Sequence, residues 1–159
     1  MTYEFNHKLQ EGETGENKLD IYFRNKEIVI TSVSMELQRI GIDRLWEKSN
    51  GTRVSVEYKT DETAGRTNNI FIETVSVDKD NKPGWGYSSI AQYLVYYIPP
   101  TNSILFCPMI CIKRNIGDWI KKYAIKTIPN KGYNTLGCPV PIDIFKNCCN
   151  PIEYVLPGE

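Results

Sequence analysis

The stretch "GIDRLWEKSNGTRVSVEYKT", residues 41–60, holds Asp43, Glu57 and Lys59, whose types and spacing suit chemistry on a phosphate. In "RVSVEYK", Val54, Val56 and Tyr58 alternate with Ser55, Glu57 and Lys59. An extended chain therefore projects Glu57 and Lys59 side by side from one face. Whether Asp43 joins them depends on the turn. A three-residue loop Ser49-Asn50-Gly51, with Gly51 left-handed, sets Asp43 opposite Glu57. A two-residue Asn50-Gly51 turn sets Asp43 opposite Tyr58 and sends its carboxylate to the other face. Two facing carboxylates repel unless a cation lies between them. Lys59 can be that cation. A hard divalent ion, Mg²⁺ or Mn²⁺, is the other candidate, because it takes a few oxygen ligands and keeps several waters. Such an ion activates one of its waters and stabilises charge on a phosphate oxygen, while a neighbouring lysine orients the water. Histidine is not required, and His7 is the single one in the chain.

The elements that must position these groups can be read from periodicity. Leu19, Tyr22 and Phe23 have i, i+3, i+4 spacing in a predicted helix over 8–25, and Gly15 and Glu16 continue that stripe one turn back. Glu16 is thus a carboxylate on the face that meets the sheet. "EIVITSV" (27–33) and "NNIFIETVSV" (68–77) read as strands on either side of the hairpin at 42–60. "DKDNKPGWGY" (78–87) is a loop by its turn chemistry, and "SSIAQYL" reads as a short helix capped by Ser88. "LVYYI" and "SILFC" are two strands joined by "PPTN". Pro108 opens a helix over about 112–124 in which Ile112, Ile116, Trp119, Ile120 and Tyr123 recur at helical spacing. "KGYNTLGCPVPIDIFKN" is broken by Gly and Pro and ends in a short helix near 141–147. Together these predict one α/β domain over 1–159, a mixed central sheet flanked by helices.

Asp43 in "GID", followed by Glu57 and Lys59 in "VEYK", resembles the motif of the PD-(D/E)XK phosphodiesterase superfamily. Its members include restriction endonucleases, Holliday-junction resolvases and many phage and repair nucleases. The wider run "VEYKTD…TNNIFIE…PGWGYSSIAQYLVYYI" is similar to small single-domain bacterial and phage proteins placed there. The resemblance implies a restriction-endonuclease-like α-β-β-β-α-β core and a Mg²⁺-dependent (or Mn²⁺-dependent) DNA endonuclease. It implies that Asp43, Glu57 and the Tyr58 carbonyl hold the metal, that Lys59 positions the attacking water, and that Glu16, or else Glu13, adds a carboxylate from the first helix. Ile42 stands where the family name has proline, and Tyr58 where an aliphatic is usual. Gln92 and Tyr96 match the QxxxY spacing of RecB-type members, provided that the segment is helical.

Net charge is zero and the pI about 6.6, against a strongly basic nucleic-acid binder. The charge is unevenly distributed, however. Residues 1–80 carry 11 Lys/Arg and 15 Asp/Glu, whereas 110–135 carry 6 basic residues and only Asp118. Lys113, Arg114, Lys121, Lys122 and Lys126 from this basic segment are the candidate phosphate contacts. Lys82, Trp85 and Tyr87 in "KPGWGY" either stack on an unpaired base or cover the core. Glu73 is either near the site on the next strand or an exposed strand glutamate.

The five cysteines, Cys107, Cys111, Cys138, Cys148 and Cys149, lack the paired spacing of structural zinc and favour buried thiols over a disulfide framework. The apolar runs are too short to span a bilayer, and "MTYEFNHKLQEGE" has no signal-peptide pattern. A cytoplasmic protein is expected, with DNA as partner and a homodimer plausible if both strands are cut. The competing class is a nuclease fold kept as a non-catalytic binding module. A cysteine-liganded zinc protein is the third reading.

Overall fold

The chain, as a computed structural model that describes residues 3–158, begins with helix α1 (Tyr3–Arg24). Gly15, Leu19 and Phe23 recur every four residues and are buried, so one stripe of the helix faces the protein. A methyl group on Gly15 would run into the Thr60 side chain, so the helix lies close against the strand that carries the candidate site. Glu27 takes φ 64°, a left-handed turn that ends the helix and reverses the chain.

Six strands form the principal sheet: β1 (Val29–Ser32), β2 (Arg44–Glu47), β3 (Arg53–Thr60), β6 (Tyr93–Ile98), β7 (Ser103–Pro108) and β10 (Ile152–Val155). Their spatial order is β1-β2-β3-β6-β7-β10, with β3 and β6 parallel and the other neighbours antiparallel. Against one face, Leu19 and Phe23 of α1 pack with Trp46, Val56, Tyr58 and Phe106. The Phe23 and Trp46 rings are 4.5 Å apart, and Trp46 stacks on Phe106 at 5.7 Å. Truncating such a buried aromatic costs about 3–5 kcal/mol.

A second, antiparallel sheet packs over the other face in the order β5-β4-β9-β8: β4 (Asn69–Val77), β5 (Lys82–Pro83), β8 (Lys126–Asn130) and β9 (Tyr133–Pro141). Ile70 and Ile72 of β4 join Leu94, Tyr96 and Leu105 in this core. Helix α5 (Met109–Lys122) adds Ile112, Ile116 and Trp119, and helix α6 (Ile142–Cys149) adds Phe145. The layers are also tied by Tyr96 of β6, whose hydroxyl donates to Asp61 and accepts the Phe71 N–H at 3.3 Å. The result is a mixed α/β fold with helices flanking a mixed sheet. Among the described residues, no helix is long and apolar enough to cross a membrane.

The sequence reading departs from this architecture at particular segments. "SSIAQYL" is not a helix; the short helix there, α4, is Trp85–Ser88. The N–H groups of Ile90 and Gln92 donate to Ile40 and Ser55 carbonyls, which holds 89–92 extended. Gln92 and Tyr96 therefore lie beside or in a strand rather than on one helix face. The strand at 68–77 belongs to the second sheet, not to the principal one. "GYNTLGCPVP" is mostly β9 in spite of its prolines. β8 covers β9 only as far as Gly137, so Pro139 and Pro141 lie on a flank where no ladder N–H is needed. Two further four- or five-residue helices, α2 (Met35–Arg39) and α3 (Ala64–Thr67), complete the connections.

Candidate active site

The β2–β3 hairpin has the three-residue turn. Lys48 N–H donates to Thr52 O, and Gly51 adopts φ 83° with its N–H bonded to Lys48 O. The register Arg44↔Val56 through Glu47↔Arg53, continued by one residue, sets Asp43 opposite Glu57. Asp43 N–H donates to Val56 O at 2.9 Å, and Asp43 Oδ2 accepts the Tyr58 N–H at 2.7 Å. The Asp43 carboxylate thus binds the backbone between Glu57 and Lys59.

Val54, Val56 and Tyr58 point into the α1 side, and Glu57 and Lys59 emerge on the opposite face. Glu57 is only 4% exposed. Its Oε1 pairs with Lys59 Nζ at 3.1 Å, whereas its Oε2 is buried and finds no hydrogen-bond partner among the described residues. Leaving a buried carboxylate oxygen unpartnered is costly, so its position favours a ligand cation or water. Burial raises the Asp43 carboxyl to about 6, with Glu57 and Glu16 adding to the rise against the Tyr58 N–H and Lys59. Burial works against the Lys59 charge, but Glu57, Glu73 and Asp43 together hold its ammonium above the ordinary lysine range. The Lys59 side chain remains about a third exposed (34%) and lies 5.8 Å from the Trp85 ring centroid.

Glu16 takes a different place. It is on the α1 side, where its Oε2 accepts from Arg44 Nη2 at 3.3 Å. Arg44 also binds Asp20 Oδ2 at 3.1 Å and the Asp43 carbonyl at 2.8 Å. Asp20 Oδ1 accepts from the Tyr58 hydroxyl at 2.9 Å, and that hydroxyl accepts from Trp46 Nε1 at 3.1 Å. The Tyr58 side chain is therefore committed to this network, which leaves its backbone carbonyl as the part that a metal could use. Glu13 is exposed. Asp20 and Arg44 were not singled out by sequence reasoning, although Asp20 stands one helical turn from Glu16 on the buried stripe.

Of the two readings open to Glu73, the fold has it near Lys59 rather than exposed. It is half-buried beside Lys59, and its carboxylate accepts the Trp85 N–H. Burial holds this carboxyl above its ordinary range, against Lys59 and that N–H. Trp85 is buried and supports the site, while Tyr87 is 46% exposed. A cleft of about 430 Å³, bounded by α1 as well as by both sheets, is lined by Lys59, Glu73, Trp85, Tyr96 and Lys126 among others. Lys126 is thus the basic candidate that reaches this cleft. Lys113 donates to Tyr87 O at 3.1 Å, and Lys122 lies over the Tyr123 ring at 5.7 Å. Arg114 and Lys121 are exposed on α5.

Among the described residues, no group of three or more His, Cys, Asp or Glu side chains is arranged to hold a metal ion. Cys107, Cys138 and Cys149 are buried free thiols. A divalent ion at Asp43 and Glu57 would therefore depend on water for the rest of its shell, as Mg²⁺ commonly does. The orphaned Glu57 oxygen and the oxygen-only donor set fit such an ion. No protein-family model matches the chain, and no curated protein or solved structure matches it either.

Proposed function

We propose that this chain is a metal-dependent phosphodiesterase acting on DNA as an endonuclease, with a PD-(D/E)XK-type site. The observation that carries this reading is Asp43 opposite Glu57, with the Glu57 Oε2 buried and unpartnered and Lys59 next along the same face. Asp43, Glu57 and the Tyr58 carbonyl would hold Mg²⁺ or Mn²⁺. When bound, such an ion supplies an acidified water and a counter-charge for the phosphate. Lys59 orients the nucleophile and offers a positive charge to the phosphate oxygens. The Trp85 ring limits where that ammonium can go. Glu16 assists from α1 through its field on Asp43. Lys126 at the cleft, with Lys113, Arg114, Lys121 and Lys122 on α5, would contact phosphates and fix the register of the strand.

The order of elements supports the same reading. Helix α1 is followed by β1, β2 and β3 as an antiparallel meander, and then by β6 parallel to β3. The α-β-β-β-α-β core that the family resemblance implies would read onto this order with its second helix reduced to the four-residue α3 and α4 and a second sheet inserted. Cutting both strands of a duplex with one such site per chain calls for two copies, so a homodimer is part of the proposal.

The test is cleavage of labelled duplex, single-stranded and branched DNA with Mg²⁺ or Mn²⁺, comparing the wild type with Lys59→Ala. Cutting should require the metal and fall on the order of a hundredfold or more in the variant. No cutting, together with no heat of metal binding, would overturn the proposal. The Lys59–Glu57 ion pair favours one alternative, in which lysine alone neutralises the acidic pair and the fold serves as a non-catalytic module that binds nucleic acid or protein. Mn²⁺ binding that is lost in Asp43→Asn separates the two.

A further inference from the structure

Glu73 is held beside Lys59 by several independent features. The pairing of β4 with β9 slips at this point, from Glu73↔Gly137 to Val75↔Leu136, a bulge that re-aims the strand's side chains. The "PGWG" turn lies directly on the Glu73 backbone. A Cβ on Gly84 would sit 2.6 Å from Glu73 Cγ, and one on Gly86 would sit 2.9 Å from Glu73 O. Only glycine permits this approach at both positions. Between them, Trp85 donates its backbone N–H to the Glu73 carboxylate and presents its ring to Lys59. After Glu57, Glu73 is the carboxylate that acts most strongly on the Lys59 ammonium, although the ion-pair contact itself is with Glu57.

Lys59 now neutralises the carboxylate that a divalent ion would need. A metal on Asp43 and Glu57 would repel an ammonium that shares the same carboxylate. The four-carbon stem of lysine is flexible, and this side chain is partly exposed, so the charge can move. We infer that Glu73 is a second seat for Lys59: when a divalent ion occupies Asp43 and Glu57, the ammonium leaves Glu57 for Glu73 and stays in the site. Glu73 is then a positioning residue, which eases metal entry and keeps the lysine beside the scissile phosphate. This inference rests on the reading of Asp43 and Glu57 as metal ligands.

The test is a double-mutant cycle read by calorimetric titration of Mn²⁺ into wild type, Lys59→Met, Glu73→Gln and the double variant. Glutamine keeps an oxygen for the Trp85 N–H and removes only the charge. Lys59→Met should tighten Mn²⁺ binding by removing the competitor. Glu73→Gln should weaken it on the order of fivefold while Lys59 is present, and by less than about twofold once Lys59 is gone. Equal weakening in both backgrounds would mean that Glu73 acts on the metal directly, and no weakening in either would mean that it does not act; either result overturns the second seat. Should the amide variant fail to fold, Glu73→Asp carries the same cycle, with any weakening again requiring Lys59. A wild type that binds no Mn²⁺, or an Asp43→Asn variant that binds it as well as wild type, would overturn the metal reading and the second seat with it. Asp43-dependent binding without coupling between Lys59 and Glu73 would overturn the second seat alone.

Discussion

Tyr58 donates its backbone N–H to Asp43 Oδ2 at 2.7 Å, so the aspartate closes the end of the hairpin as well as presenting a carboxylate beside Glu57. The two roles can be separated. We predict that Asp43→Asn, which retains an oxygen acceptor, unfolds in urea within about 1 kcal/mol of wild type, whereas Asp43→Ala loses about 1–3 kcal/mol. Both should lose Mn²⁺ binding in calorimetry. An alanine variant as stable as wild type would show that this contact contributes nothing to the fold.

The raised Asp43 carboxyl carries a pH signature. Below its ordinary value of 3.8 it is protonated in folded and unfolded chains alike, and between that and about 6 the folded chain alone keeps the proton. The Asp43 contribution to metal-free stability should therefore fall as pH rises through this window and level off above it. Urea midpoints measured across the window for wild type and Asp43→Asn should differ in slope there and run parallel above about 6. Mn²⁺ affinity should rise over the same interval, because the ion must displace the proton.

Arg44 is the cation for Glu16 and Asp20, with the Arg44 and Asp20 side chains only 11% and 10% exposed. Among the described residues, removing it leaves the buried Asp20 with only the Tyr58 hydroxyl as a hydrogen-bond partner. Arg44→Leu should cost about 3–5 kcal/mol in chemical unfolding, the usual penalty for orphaning a buried charge. Asp20→Asn in the same background should recover part of that loss. If Arg44→Leu is neutral, the network is not a stabilising anchor for α1.

Gly51 offers a control for the hairpin. It stands at φ 83° with none of the described residues near its Cβ position, so Gly51→Ala meets a conformational penalty rather than a clash. We predict a loss of about 1 kcal/mol in stability, with Mn²⁺ affinity unchanged. A larger loss accompanied by weakened metal binding would mean that the register of Asp43 against Glu57 depends on the turn alone.

The hairpin and the helices were legible because their signals are local. Alternation in "RVSVEYK", Asn-Gly at the turn, and the spacing of Leu19 with Phe23 and of Ile112, Ile116 and Trp119 all describe neighbours along the chain. The choice of turn was not legible, since Asn50-Gly51 permits both registers. The second sheet was hidden by Pro139 and Pro141, which are tolerated because of where β8 stops. Glu73 kept two readings because alternation gives a face but not what covers it. Its cover, the Gly84–Gly86 turn, arrives through contacts that only the folded chain makes. Asp20 did leave a trace: two acids at i, i+4 beside a buried stripe require a cation, and Arg44 is that cation.

Parallel neighbours cannot be joined by a tight turn, so the chain must leave the principal sheet after β3 before it can return as β6. Here that compulsory detour is not filled by a long helix. It runs through β4 and the Gly84–Gly86 turn, and in passing it delivers Glu73 and Trp85 back to the strand it had just left. The connection is thereby also a wall of the pocket, and shortening it would remove part of the site together with the loop.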